Sequence, residues 1–173
     1  MQNHLNPKQA KKPEKEFDGK IYRVGDKVMQ TKNNYQIEWS VKNDIGIAME
    51  KGQGVYNGDI GIIRYINDFE EFIRVEFDDR KIVDYPYTEI SQLELAYAIT
   101  IHKSQGSEYP AVIIPMYPGP KMLMNRNLIY TAVTRAKTCV ALVGDPECFY
   151  EMTENTSQLK RYSSLDLQIK NLL

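Results

Sequence analysis

Only two cysteines, Cys139 and Cys148, occur among 173 residues. That is too few for a disulfide scaffold in a chain of this length, and no second pair completes a zinc site. No apolar run approaches the ~20 residues that span a bilayer, and the start, Met1-Gln2-Asn3-His4, has neither a basic nor an apolar signal region. These absences predict a cytoplasmic protein with reduced thiols. An excess of one charge is missing too: 22 Lys and Arg stand against 23 Asp and Glu, a net charge of −1. A basic coat for nucleic acid is thereby excluded, and any DNA contact must be local. The chain also lacks a Gly-x-x-x-x-Gly-Lys-[Ser/Thr] loop and the paired carboxylates that accompany one, so it has no phosphate cradle of its own. Nor does it gather the carboxylates and histidine suited to two-metal phosphodiester cleavage, and nuclease activity is not supported.

What is present, 42% hydrophobic and 26% charged residues, fits one globular domain or two small ones sharing a core. Residues 1–16 are polar and aperiodic, with Pro7, Pro13 and a basic run, and read as a flexible lead-in. From Ile21 short apolar runs alternate with turns: Ile21 to Val24, then Lys27 to Thr31. Residues 33–54, with Trp39, Gly46, Gly52 and Gly54, show no clear period and read as an irregular insertion. Beyond the Asn57-Gly58-Asp59 turn come strand patterns at Ile60 to Ile66, Phe72 to Phe77 and Ile82 to Tyr85. Such spacing predicts a small SH3-like barrel over 56–93, with Tyr65, Tyr85 and Tyr87 mainly in its core.

After Leu93 the pattern becomes α/β. Buried strands are expected at Leu95 to Ile99, Val112 to Ile114 and Val140 to Val143. Helices are expected from Thr100 to Gln105, capped by Thr100 and stopped by Gly106, and from Asn125 to Lys137. This order implies a parallel sheet covered by helices. Pro146 to Leu173 reads as two helices, the last with a stripe of Leu165, Ile169, Leu172 and Leu173.

Two stretches carry chemistry. In Thr100-Ile101-His102-Lys103-Ser104-Gln105-Gly106-Ser107-Glu108, a strand delivers a polar helix start whose N–H groups, hydroxyls and Lys103 suit a phosphate. In Leu128-Ile129-Tyr130-Thr131-Ala132-Val133-Thr134-Arg135-Ala136-Lys137, the face opposite the apolar arc holds two threonines and Arg135. An arginine's planar fork suits phosphate better than lysine's point charge; a structural salt bridge is the alternative reading of the same residue.

These stretches resemble motifs V and VI of superfamily 1 helicases of the RecD/TraA group, the exodeoxyribonuclease V alpha-subunit-like proteins. Gly25-Asp26-Lys27-Val28-Met29-Gln30, Asn33-Asn34-Tyr35 and Tyr56-Asn57-Gly58-Asp59-Ile60-Gly61 are similar to that group as well. The resemblance implies an α/β fold: a partial RecA-like lobe of the P-loop NTPase type over 17–55 and 94–173, with the barrel at 56–93 as its insert. It implies that Arg135 is the finger that meets the γ-phosphate, with Gly106 and Glu108 toward the nucleotide. Thr100, His102, Lys103 and Ser104 would face single-stranded DNA, joined by Gln30 and Asn33. ATP and Mg²⁺ would act in the full-length protein, none being held by these residues alone, and travel would be 5′ to 3′. The implied partners are single-stranded DNA, the first RecA-like lobe of the same protein, and other recombination or repair proteins. The missing cradle belongs to that first lobe, which implies a piece of a longer protein whose Met1 was supplied for expression and which is inactive alone. The rival reading is a stand-alone SH3-like module that binds protein or single-stranded DNA without motor activity.

Overall fold

Two separate patterns of burial divide the chain. The computed structural model describes residues 1–42, 48–156 and 169–170, and it falls into two units, Met1–Lys103 and Ser104–Leu173. The first begins with a one-turn helix α1 (Gln2–Leu5) and an antiparallel pair, β1 (Glu14–Phe17) and β2 (Lys20–Arg23). Then come β3 (Lys27–Gln30), β4 (Asn34–Lys42), β5 (Ala48–Val55), β6 (Ile60–Asn67), β7 (Phe72–Phe77), β8 (Lys81–Pro86) and β9 (Leu93–Leu95). They form one sheet in the order β5-β4-β8-β7-β6-β3-β9, every neighbouring pair antiparallel.

Strict alternation fixes the register. In β7, Ile73, Val75 and Phe77 point inward and are buried; in β8, Val83 and Tyr85 do the same. With Val28, Ile37, Val55, Ile63, Ile66, Ile90 and Leu93 they form one core, each aliphatic side chain contributing about 1.5–3 kcal/mol on burial. A one-residue slip would turn this whole set to water.

Several expectations are corrected here. The described residues of 33–54 are no irregular insertion: β4 and β5 pair as two long antiparallel strands. Gly52 lies against the Trp39 ring, where an added Cβ would come within 2.3 Å of the indole, so the glycine that looked like a loop signal makes room for an aromatic. Of the segment 17–55, β3, β4 and β5 join the sheet of β6 to β8, and not the parallel sheet, because Val28, Ile37 and Val55 share its core. The lead-in is ordered through α1 and β1, whose polar side chains are held by Asp26 and Arg23. The strand expected at Leu95 to Ile99 ends at Leu95, and Thr100 to Gln105 runs through turns instead of a helix.

In the second unit, β10 (Tyr109–Met116) and β11 (Ala136–Gly144) run parallel, connected through helix α2 (Arg126–Val133) and followed by α3 (Pro146–Glu154). With this β-α-β unit in one part of the chain and an antiparallel sheet in the other, the fold is of the mixed α/β class expected. Asn125 caps α2 by accepting the Leu128 N–H at 3.0 Å. Asp145 caps α3 by accepting the Glu147 N–H at 3.0 Å, with Pro146 at the first helical position. Ile114, Met116, Ile129, Ala132, Cys148 and Met152 are buried between sheet and helices. At Gly144, with φ +132°, a Cβ would lie 2.1 Å from the Met116 carbonyl oxygen, so the strands can close up only on glycine. Both cysteines are free thiols, Cys139 exposed and Cys148 buried. Of the last expected helix only residues 169–170 are described, and they are helical; Leu165, Leu172 and Leu173 lie outside the described residues.

Four tyrosines of the first unit have hydroxyls that resist ionisation. Burial pushes those of Tyr22, Tyr85 and Tyr87 above the usual tyrosine range, the last also through its bond to Asp68. Burial, then the bond to Asp26, pushes Tyr97 up to about 12. Because these folded values exceed the unfolded value of about 10, their contribution is complete below pH 10 and is lost as pH rises through 10 to 12 and beyond. Denaturant melts at pH 8, 10 and 11.5 should therefore show a midpoint that holds to about pH 10 and then falls; a midpoint flat to pH 12 would contradict the buried, hydrogen-bonded state of these rings.

Candidate nucleotide and nucleic-acid site

The residues singled out in the sequence fall in both units. In the first, Ala96 N–H donates to the Lys27 carbonyl at 2.7 Å, extending the β3–β9 pairing by one residue. Tyr97 then donates its hydroxyl to Asp26 Oδ1 at 2.7 Å. Beyond it the backbone turns, and Thr100 Oγ1 accepts the Lys103 N–H at 3.3 Å. Thr100 and His102 are exposed. Lys103 forms an ion pair with Glu94, which holds the Glu94 carboxyl below its usual range.

Gln30 is corrected as a DNA contact. Its side chain is 0% exposed; its Oε1 accepts the Tyr85 hydroxyl at 3.0 Å and its Nε2 donates to Gln92 Oε1 at 2.9 Å. It braces the barrel. Asn33 is exposed, accepts the Asn57 N–H at 2.9 Å and donates to the Tyr35 hydroxyl at 3.3 Å. Next to it lies a feature the sequence reading missed: Tyr35 and Tyr56, both exposed, meet edge to face with ring centroids 5.7 Å apart. Their meeting needs the β4–β5 pairing, so a reading of 33–54 as irregular could not find it.

In the second unit, Ser104 is buried, and its carbonyl accepts the Ser107 N–H at 3.1 Å. Gly106 adopts φ +88°, a left-handed turn that suits glycine. Glu108 and Lys137, both exposed, pair at 3.2 Å across the mouth of the parallel strands. Arg135 lies beyond the end of α2 and not on its face. The helix tightens at Thr134, where Arg135 N–H reaches back to the Ala132 carbonyl at 3.2 Å. Thr131 and Thr134 return their hydroxyls to the Asn127 and Thr131 carbonyls at 2.7 and 3.0 Å.

The half-buried guanidinium of Arg135 donates to the Thr131 carbonyl at 3.3 Å, the Ser107 carbonyl at 3.2 Å and Thr134 Oγ1 at 3.5 Å. Tyr109 N–H donates to the Arg135 carbonyl at 2.8 Å. Arg135 is thus tied to Ser107 and Tyr109, which lie on either side of Glu108. The Tyr109 hydroxyl is buried without a hydrogen-bond partner among the described residues. Among the same residues no group of three or more His, Cys, Asp or Glu is placed to hold a metal ion, and no helix is long and apolar enough to cross a membrane.

Comparison with known proteins gives these segments a context. Residues 1–77 match the SH3 domain of ATP-dependent RecD-like DNA helicases, and residues 95–143 match the UvrD-like helicase C-terminal domain. An uncharacterized protein of Methanocaldococcus jannaschii is 35% identical over 83% of this chain and 12% of its own length. The ATP-dependent RecD2 DNA helicase of Deinococcus radiodurans is 33% identical over 66% of this chain and 13% of its own length. The RecBCD enzyme subunit RecD of Mycolicibacterium smegmatis is 36% identical over 61% of this chain and 18% of its own length. The chain therefore spans less than a fifth of each of these relatives. Among solved structures, one of two coordinating Pif1 helicases unwinding forked double-stranded DNA is similar at 21% identity and a TM-score of 0.49, covering 92% of this chain and 36% of that one. The chain thus joins a region matching the RecD-like DNA helicase SH3 domain to one matching the UvrD-like helicase C-terminal domain, and its relatives include proteins named RecD.

Proposed function

We propose that these residues supply half of a composite ATPase site in a DNA helicase, the other half coming from a first RecA-like lobe of the same protein. Arg135 acts as the finger that meets negative charge spreading over the γ-phosphoryl oxygens. Gly106 and Glu108 face the nucleotide, while Thr100, His102 and Lys103 face the phosphates of single-stranded DNA, with travel 5′ to 3′. Asn33 keeps an exposed place beside the DNA path. ATP is the substrate. The magnesium ion has no gathered ligands among the described residues and belongs to the first lobe in this reading. Other recombination or repair proteins are the further partners, and a cytoplasmic location fits them.

The observation that carries the reading is the bonding of Arg135. Its fork spends its donors on main-chain carbonyls at 3.2 and 3.3 Å, neutral acceptors that a phosphoryl oxygen outcompetes by charge. Because one of those carbonyls is that of Ser107, engagement with ATP releases the segment that carries Glu108, which links nucleotide to DNA contacts. The exposed Tyr35–Tyr56 pair favours the second reading, a binding module without motor activity. The two part on the gene: the motor needs a phosphate-binding loop in the same reading frame.

Two measurements test this. In a full-length protein carrying these residues, Arg135→Ala and Arg135→Lys should each lower DNA-stimulated ATP turnover by ~10³ to 10⁵ while nucleotide binding weakens only modestly. The chain by itself should show no turnover. Near-normal hydrolysis in Arg135→Ala, or turnover by the chain alone that depends on Arg135, defeats the assignment.

The second concerns Lys103, which must leave Glu94 to reach a phosphate. Glu94→Gln should tighten oligothymidylate binding several-fold at low salt and steepen its salt dependence by about one contact. Fluorescence anisotropy across a salt series reads both quantities. If neither affinity nor slope moves, Lys103 is a purely structural partner of Glu94.

A further inference from the structure

Asp26 is fully buried, yet among the described residues no basic side chain is bonded to it. Its carboxylate instead takes four donors. Asn6 Nδ2 and the Tyr97 hydroxyl reach Oδ1 at 2.6 and 2.7 Å; Gln2 Nε2 and the Arg23 N–H reach Oδ2 at 2.6 and 2.7 Å. About four acceptor sites exist on a carboxylate, so this one is saturated. Three donors come from distant parts of the sequence, from α1, the residue after it and the residue that leads out of the sheet toward Thr100, and the fourth is local, from the end of β2. The Asp26 main chain is fixed as well, its N–H donating to the Arg23 carbonyl at 2.9 Å and its carbonyl accepting the Ile63 N–H at 2.9 Å. The acceptor therefore cannot drift.

We propose that Asp26 is a positioning residue: through the Tyr97 hydroxyl, and with Gln2 and Asn6 completing its shell, it sets the place of the 98–103 segment that would face DNA. This rests on the reading that Thr100, His102 and Lys103 contact the strand. Beyond Ala96 the backbone leaves the ladder, and the stretch from Ala98 to His102 is bracketed by two side-chain ties, Tyr97 to Asp26 and Lys103 to Glu94. The second must open for Lys103 to meet a phosphate. The first, half-buried and uncharged on the donor side, stays shut and holds the segment while it does. The residues before β1 thereby act on DNA binding without touching DNA.

The test uses the 173-residue chain itself and Tyr97→Phe, which keeps the ring and removes only the hydroxyl; Gln2→Ala is a second, milder opening of the same shell. Hydrogen exchange should speed up about tenfold in the amides of 98–103 while those of β7 hold their protection. Oligothymidylate affinity should fall about fivefold while the thermal midpoint drops by only a few degrees, since a bond of this kind is worth roughly one such factor. Thr100→Ala with Lys103→Ala is the control for the underlying reading. If that pair leaves affinity untouched, the DNA assignment fails, whatever Tyr97→Phe does. If the pair weakens binding but Tyr97→Phe does not, the positioning role fails. Exchange that rises evenly over β7 and 98–103, or in neither, also overturns it by making Asp26 a stability residue only.

Discussion

A polar group taken out of water must be met on every side, and the first unit is organised by where that condition is satisfied. Asp26 and Gln30 stand at the two ends of β3, both fully buried, with Val28 and Met29 between them. One end collects Gln2, Asn6, Arg23 and Tyr97; the other collects Tyr85 and Gln92. Hydrophobic burial supplies most of the driving force but is indifferent to small displacements. The two polar anchors are not. Shifting β3 by one residue would strand an acid and an amide in the core, so they fix a register that the apolar residues alone would hold more loosely.

Legibility in the sequence followed the range of the interactions. β7 and β8 could be read because their burial alternates within the strand, β6 because its apolar run lies between two turns, and the start of α2 because Asn125 caps it from the adjacent position. The parallel pair was marked by continuous apolar runs. What escaped depended on partners far away. Residues 1–16 look unstructured because Gln2 and Asn6 answer to an acid at position 26. The pair of β4 and β5 looks irregular because Gly52 serves a tryptophan on the neighbouring strand. Of the candidate site, Thr100, His102 and Glu108 are exposed. Gln30 is buried instead: its place as a DNA contact came from the resemblance alone, and Tyr85 and Gln92 hold its amide.

The charged candidates share a further property. Lys103 pairs with Glu94, Glu108 with Lys137, and Arg135 with carbonyls at the end of α2 and before β10. In a chain of net charge −1 these groups are held by internal partners, so a phosphate would bind by exchange. Exchange weakens each contact, because the bond lost offsets part of the bond gained. It also keeps flexible cations from collapsing onto unrelated anions, and it makes every contact report on the loop that supplied its first partner.

Gly144 shows how little sequence latitude the second unit has at one point. The strands end with a carbonyl where any side chain would begin, and the next two residues, Asp145 and Pro146, already cap and open α3. Strand end, chain reversal and helix start therefore share one position, and a substitution there damages all three together. In a library of single substitutions this position would behave as a wall, while Gly19 and Gly58, with open space where a Cβ would go, would record only the backbone cost of their positive φ angles.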